Sequence, residues 1–261
     1  MTTPLYTDAA LQADQLCLGP HWIYDQAQLA AAYPDGVTEP TDPLSPYHPA
    51  RKAGQHTHTG DQLRFLAQSI QAHGGYDLTH WRATWLAEMS HYDGYIDGAT
   101  KATLATEART ASDSNEFAVV SRIAPILDLG LPVEEAVSAA CSQAALTHGG
   151  AQIPEACAFF IRVVARQQAG ASLSDALTAE AATDLYPTLG VADALKQAQA
   201  ADPVDFRAVA LQFGQACSLT AALPLTLYFV LHHAGPDLQS RNALAGGDST
   251  ARAMVLAVLT A

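Results

Sequence analysis

Apolar residues recur along this chain at helical rather than strand spacing. Between positions 60 and 73, Leu63, Leu66, Ala67 and Ile70 fall on one face of a helix. Over 131–148, Val133, Ala136, Val137, Ala140, Cys141 and Ala144 draw a second stripe, and Pro132 suits a first helical turn. The same spacing predicts helices over 78–92, 97–109, 116–128, 153–169, 173–182, 189–200, 203–218 and 219–233. A last helix is expected in the apolar run that closes the chain. β-Branched residues seldom alternate with polar ones, and no repeat of fixed period is visible. The pattern therefore predicts an all-α chain.

One segment breaks the pattern. Residues 33–60 carry Pro34, Pro40, Pro43, Pro46 and Pro49 and cannot form a continuous helix. A stretch this long without elements of its own is usually functional or disordered. Here it is expected to form a lid or rim beside a cleft and to order over it when ligand binds. The piece before it is too short to own a core, so residues 1–261 are expected to form a single domain.

Composition narrows the function. With 49% hydrophobic and 15% charged residues, the chain can build a substantial core and does not read as disordered. A net charge of −13 without any Lys/Arg cluster argues against nucleic acid and anionic membranes as partners. An anionic ligand would need helix N-termini, backbone N–H groups or a metal. The longest apolar stretch, 219–231, contains Pro224 and is shorter than the about 20 residues that span a bilayer. The start, "MTTPLYTDAALQADQ", lacks the basic flank and apolar core of a signal peptide. Cys17, Cys141, Cys157 and Cys217 form no C-x-x-C pair and read as free thiols in a reducing compartment. A cytoplasmic location is expected.

Four stretches are unusually polar for their positions: "ADQLCLGPHWIYD" (13–25), "HTHTGDQLRF" (56–65), "SDSNEFAVVSRIAPIL" (112–127) and "GGDSTARAM" (246–254). Each has a structural reading. Gly19 can end a helix above Trp22 and Tyr24, Thr59 can cap a helix, and so can Ser112 or Asp113. Asp248 or Ser249 can cap the last helix, entered through a turn at Gly246 and Gly247. Each stretch also sets small polar groups at a helix boundary, where orphan N–H groups can face an anion. If these boundaries converge, Ser112, Asp113, Ser114, Asn115, Gly246 and Gly247 would contact the ligand, and Trp22 could stack on a base. Asp93 and Asp97 in "YDGYIDGATKATL" (92–104) read better as a turn before a helix starting near Thr100. His148 suits a helix C-terminus, where a protonated ring meets the dipole favourably.

Taken in order, these stretches resemble the ADP-ribosylglycohydrolase family, which includes the hydrolase that removes ADP-ribose from arginine of dinitrogenase reductase. "ADQLCLGPHWIYD" is similar to the family's "GDALG" helix and following loop, and "HTGDQLRFLAQSI" occupies the place of its "TDDT" loop. "SDSNEFAVVSRIAPIL" is similar to "SNG…MRIAPL", "ALTHGG" (145–150) to the Thr-His ending the next helix, and "LPLTLYFVLHH" with "ALAGGDSTARAMVLAVLTA" to the C-terminal motifs ending in "GGDTDTNAAIAGAL". The resemblance implies an orthogonal all-α domain that cleaves a glycosidic bond to ADP-ribose, or to a related ribosyl compound, around two Mg²⁺ ions. It also exposes departures. Asp248 matches the first aspartate of the last motif, but Thr250 and Ala251 stand where the next aspartate and the threonine belong. Thr57, His58 and Thr59 lie opposite Thr-Asp-Asp, unless a shift brings in Asp61. What the resemblance then implies is a single, weakly held Mg²⁺ on Thr59, Asp61, Asp248 and Thr250, with Asp61 and Asp248 as the catalytic carboxylates. A silent module that binds ADP-ribose or another nucleotide is the alternative, and a cleft for a different small substrate is a third.

Overall fold

The computed structural model describes residues 5–106 and 110–261. Among them the chain forms α1 (Leu5–Cys17), α2 (Gln26–Ala32), α3 (His58–His73), α4 (Leu78–Met89), α5 (Gly98–Ala105), α6 (Ala124–Leu127) and α7 (Val133–Ala144). It continues through α8 (Ile153–Gln168), α9 (Leu173–Ala181), α10 (Val191–Ala200), α11 (Phe206–Phe213), α12 (Leu219–His232), α13 (Leu238–Ala245) and α14 (Ser249–Thr260). The described residues contain no sheet, only isolated bridges between Ser112 and His148 and between Glu116 and Ser218. The fold is all-α.

The helices follow the apolar stripes, with three departures. Residues 116–128 do not make one helix: a 3₁₀ segment, Phe117–Ile123, runs into the short α6. Pro125 has no N–H to give to residue 121, so an α ladder cannot run through that point. The helix expected to reach 218 stops at Phe213, because Gly214 turns out at φ +94°. Of 97–109, α5 covers Gly98–Ala105, and 107–109 lie outside the described residues.

The middle of the molecule is α14. Every residue from Ser249 to Leu259 is buried, so this helix is enclosed on all sides rather than amphipathic. It packs against α1, the 3₁₀ segment, α13, α12 and α8. Met254, Val255 and Leu256 are fully buried there, each worth about 1.5–3 kcal/mol of burial. A second cluster, Phe65, Leu66, Trp81, Trp85 and Met89, joins α3 to α4. No helix among the described residues is long and apolar enough to cross a membrane.

The proline-rich segment is an ordered strap across α1 and α13. Val37 N–H donates to Ser240 Oγ at 2.8 Å, and Leu44 N–H to the Gly19 carbonyl at 2.9 Å. Its far end is tied by Arg51, whose guanidinium donates to Asp61 at 3.0 Å. These bonds place Tyr47 and His48 beside the start of α14.

Candidate functional site

A cavity of about 210 Å³ opens at the N-terminal end of α14. Its polar walls are Asp97, Glu116, Asp248, His58, Thr59 and Cys217, and its aromatic walls are Trp22, Tyr24, Tyr47 and Tyr95.

Two glycines make this end of α14 possible. Gly246 and Gly247 take φ +84° and +70°, and a Cβ on Gly247 would lie 2.1 Å from the Gln215 carbonyl oxygen. The bare backbone lets Gly247 pair with the loop after α1. Its N–H donates to the Ile23 carbonyl at 2.8 Å, and its own carbonyl accepts from Trp22 N–H at 2.9 Å. Trp22 itself sits at φ +59°, the one positive φ outside glycine among the described residues, a conformation that costs about 1–3 kcal/mol. Its ring stacks on His21 (centroids 4.3 Å apart) and on His48 (5.1 Å), and meets Tyr95 (4.7 Å) and Tyr47 (5.2 Å) edge to face.

The wall from α3 is set by a buried carboxylate that faces away from the cavity. Asp14, fully buried in α1, accepts from Thr57 N–H at 2.9 Å and from its hydroxyl at 2.6 Å. Thr57, not Thr59, then caps α3 by accepting from Gly60 N–H. Thr59 is released to the first turn and lines the cavity together with His58.

The three carboxylates are held in different environments. Asp97 caps α5, accepting from Thr100 N–H, and lies 3.2 Å from His58 Nε2. Burial alone would raise its carboxyl, but hydrogen bonding and attraction from His58 win and hold it below the usual carboxylate range. Asp248 is pushed the other way, to about 6, because burial outweighs the attraction of Arg252 and His58. Glu116 stands 3.9 Å from His148. Burial, with Asp248 and Glu116 adding repulsion, lifts the Cys217 thiol to about 12, so it is no thiolate nucleophile. Burial lowers His21 well below 6.5 and His48 to about 4, so both rings are neutral.

Of the residues singled out in the sequence, Trp22, Thr59 and Asp248 line the cavity, and Tyr24 lies at its edge. Asp61 does not. Its carboxylate is taken by Arg51 (3.0 Å), the Tyr92 hydroxyl (2.7 Å) and Arg64 (3.1 Å), and it anchors the strap. Thr250 is fully buried against His21 at 3.3 Å. Ser112, Ser114 and Asn115 are not on the cavity wall and join segments of the chain. Ser112 donates to the Thr147 carbonyl, Ser114 accepts through its carbonyl from Gly150 N–H, and Asn115 likewise from Leu219 N–H. Asp113 is exposed. Gly246 and Gly247 shape the turn and are not on the cavity wall. Asp25 caps α2. His148 is buried with its basicity lowered by that burial, so it is not the protonated partner of a helix dipole.

Asp97, Glu116, His58, Tyr47, Tyr95 and Cys217 complete the cavity. The cap signal at Asp97 was visible in the sequence, but a cap is ordinarily exposed, and only the fold reveals that this one is buried.

The donor set does not fit a pair of Mg²⁺ ions. Among the described residues no group of three or more His, Cys, Asp or Glu is placed to hold a metal. Asp61 is saturated by two guanidiniums and a phenol, and Thr250 is turned to His21, which leaves Thr59 and Asp248 of the four ligands expected from the sequence. Mg²⁺ requires a near-octahedral shell of hard oxygens.

A family model described as ADP-ribosylglycohydrolase matches residues 11–261. Among solved structures, the chain is similar to one described as an ADP-ribosylglycohydrolase-related protein complex, with a TM-score of 0.58 and 20% identity over 99% of this chain and 88% of that one. At that identity the likeness is one of fold. No protein of curated function matches the chain.

Proposed function

Because the chain belongs to the ADP-ribosylglycohydrolase family, we propose that its cavity hydrolyses the glycosidic bond of an ADP-ribosyl or simpler ribosyl compound, using side chains where the family uses metal. The family is metal-dependent in general and takes ADP-ribosylated substrates. The observation that carries the reading is the gathering of Asp97, Glu116 and Asp248, from three separate parts of the chain, on one aromatic-walled cavity. A single Mg²⁺ lacks a ligand set here, so no step is assigned to it.

Hydrolysis adds water to the anomeric carbon, breaks the glycosidic bond with both electrons going to the leaving atom, and passes through a positively charged ribosyl group. Ionised Asp97 suits the water and the developing positive charge. Asp248, held near 6, keeps a protonated fraction at neutral pH and can give that proton to the leaving atom. The proton of the added water passes to solvent, Asp97 stays ionised and Asp248 is reprotonated from solvent.

The test is product release from ADP-ribosylated protein and from N- and O-linked ribosides, measured in EDTA and again in Mg²⁺. Turnover is expected in EDTA, with Asp97→Asn lowering it by about 100-fold or more while a thermal melt shows the variant folded. Turnover only in Mg²⁺ would move the chemistry to a metal. Ligand binding without turnover in either buffer would make the protein a recognition module.

A further inference from the structure

We infer that the cavity is built to take an organic cation about the size of one aromatic ring, and that any phosphate of the ligand stays outside it. The inference rests on the reading of this cavity as the ligand site and names what enters it.

The helix end that opens on the cavity spends its leading donors within the protein. At the start of α14, Gly247 N–H donates to the Ile23 carbonyl, Asp248 N–H to the Gln215 carbonyl and Ser249 N–H to the Gly247 carbonyl, while Thr250 N–H faces His21 at 3.5 Å. The first turn of α5 is capped by Asp97, and that of α3 by Thr57. At α14 the donors from Gly247 to Thr250 are thereby withheld from a phosphate oxygen.

The charges point the same way. All three ionisable carboxyl groups on the wall are acidic side chains of this chain, and no Lys or Arg lines the cavity. The buried guanidiniums nearby lie off the wall and spend most of their donors elsewhere, Arg252 Nη1 being left without a partner. Arg122 donates to Gln62 (3.1 Å) and Thr147 (2.8 Å), and Arg252 to Asn242 (2.9 Å) and the Gly246 carbonyl (2.7 Å). A phosphate here would meet like charge, whereas a cation would relieve it.

The aromatic walls supply the second half of a cation site. Trp22, Tyr47 and Tyr95 meet one another at 82°, 71° and 78°, with centroids 4.7–5.8 Å apart, so the three rings form a corner. Faces of aromatic rings attract cations, and desolvation strengthens the attraction. Tyr95 already has one cation near its ring, Lys101 Nζ at 5.3 Å from the centroid.

His58 fixes the Asp97 carboxylate on the wall. It is 3% exposed, lines the cavity, and has Nε2 3.2 Å from Asp97, while its buried Nδ1 has no hydrogen-bond partner. The cavity volume, about 210 Å³, lies below the roughly 300–1,000 Å³ of pockets that enclose drug-sized ligands. It holds one ring-sized group rather than a dinucleotide-like one.

Calorimetry of the full-length protein at constant ionic strength, with N-methylnicotinamide cation, uncharged nicotinamide and inorganic phosphate as probes, decides the matter. The cation is expected to bind about tenfold tighter than nicotinamide, and phosphate is expected not to compete with it. Tyr95→Phe should keep this preference and Tyr95→Leu should lose most of it, with thermal melts to show that both fold. Nicotinamide binding as tightly as the cation, phosphate competing, or no probe binding would each overturn the inference. Cation preference without turnover of any riboside would remove the hydrolase reading and leave this one standing. Turnover of ribosides without cation preference would do the reverse.

Discussion

Asp248 occupies the cap position of α14 without a capping side-chain bond, and the Ser249 hydroxyl next to it is buried with no partner. Of the influences on the Asp248 carboxyl, burial is the strongest and the Ala251 N–H, at the capping position, the weakest. This carboxyl is held near 6 instead of 3.8, and each pH unit of that rise corresponds to about 1.36 kcal/mol. The sign follows from proton uptake. Between pH 3.8 and 6 the folded chain binds more protons at this site than the unfolded one, so its contribution to stability falls as pH rises. At neutral pH the ionised group costs the fold about 3 kcal/mol. Asp248→Asn is therefore expected to stabilise the protein by up to about 3 kcal/mol at pH 7 and by little near pH 4, while abolishing turnover. Urea unfolding at the two pH values, paired with a riboside assay, checks this. Parallel loss of stability and activity at pH 7 would mean that the carboxylate is structural.

The strap and the glycine turn carry predictions at the scale of elements. Arg51, Tyr92 and Arg64 converge on Asp61, whose side chain is 8% exposed. Arg51→Ala leaves part of that buried charge uncompensated and should cost about 2–3 kcal/mol. Faster proteolytic cleavage within 33–57 is expected with it, and unchanged cleavage would shift the anchor to the stacking of His48 on Trp22. Gly247→Ala should be worse, at about 3 kcal/mol or more, because both the positive φ and the Gln215 carbonyl oppose a side chain. Its melting temperature is the direct check.

These elements also mark what the sequence made legible. Helices were readable wherever an apolar stripe ran unbroken; the 3₁₀ segment was missed although Pro125, deep inside the stretch read as one helix, is the signal that breaks it. Trp22, Thr59 and Asp248 were singled out because motif and local context agree, and all three lie on the cavity wall. Ser112 to Asn115 look like ligand donors in one dimension, but in the fold their bonds go to Thr147, Gly150 and Leu219, more than 30 residues away. Asp97 and Tyr95 were missed for the converse reason: only the approach of His58 and Gln62 from α3 to Asp97 turns an ordinary cap into a cavity wall.

For the whole molecule the question is what acid does. The net charge of −13 shrinks in magnitude as carboxylates protonate, which relieves self-repulsion and favours the compact state. Most of those charges are exposed, however, and at about 0.15 M salt they are screened beyond about 8 Å. The buried histidines are screened far less. His21, His48 and His148 are all made less basic by burial, so below pH 6.5 the unfolded chain takes up protons that the folded one refuses. Their stabilisation is complete above pH 6.5 and drains away as pH falls through the folded values. For His48, lowered from 6.5 to about 4, this amounts to about 3 kcal/mol. Asp248 works in the opposite direction over pH 6 to 3.8, but it is one group against three. The melting temperature is thus expected to fall steadily between pH 6.5 and 4.5, and His48→Gln, which cannot take the proton, should flatten that fall. Because His48 stacks on Trp22 from within the strap, protease sensitivity of 33–57 should rise over the same pH interval in the wild type and not in His48→Gln. A wild-type melting temperature that is flat or rises on acidification would show that relief of the overall negative charge outweighs the buried rings.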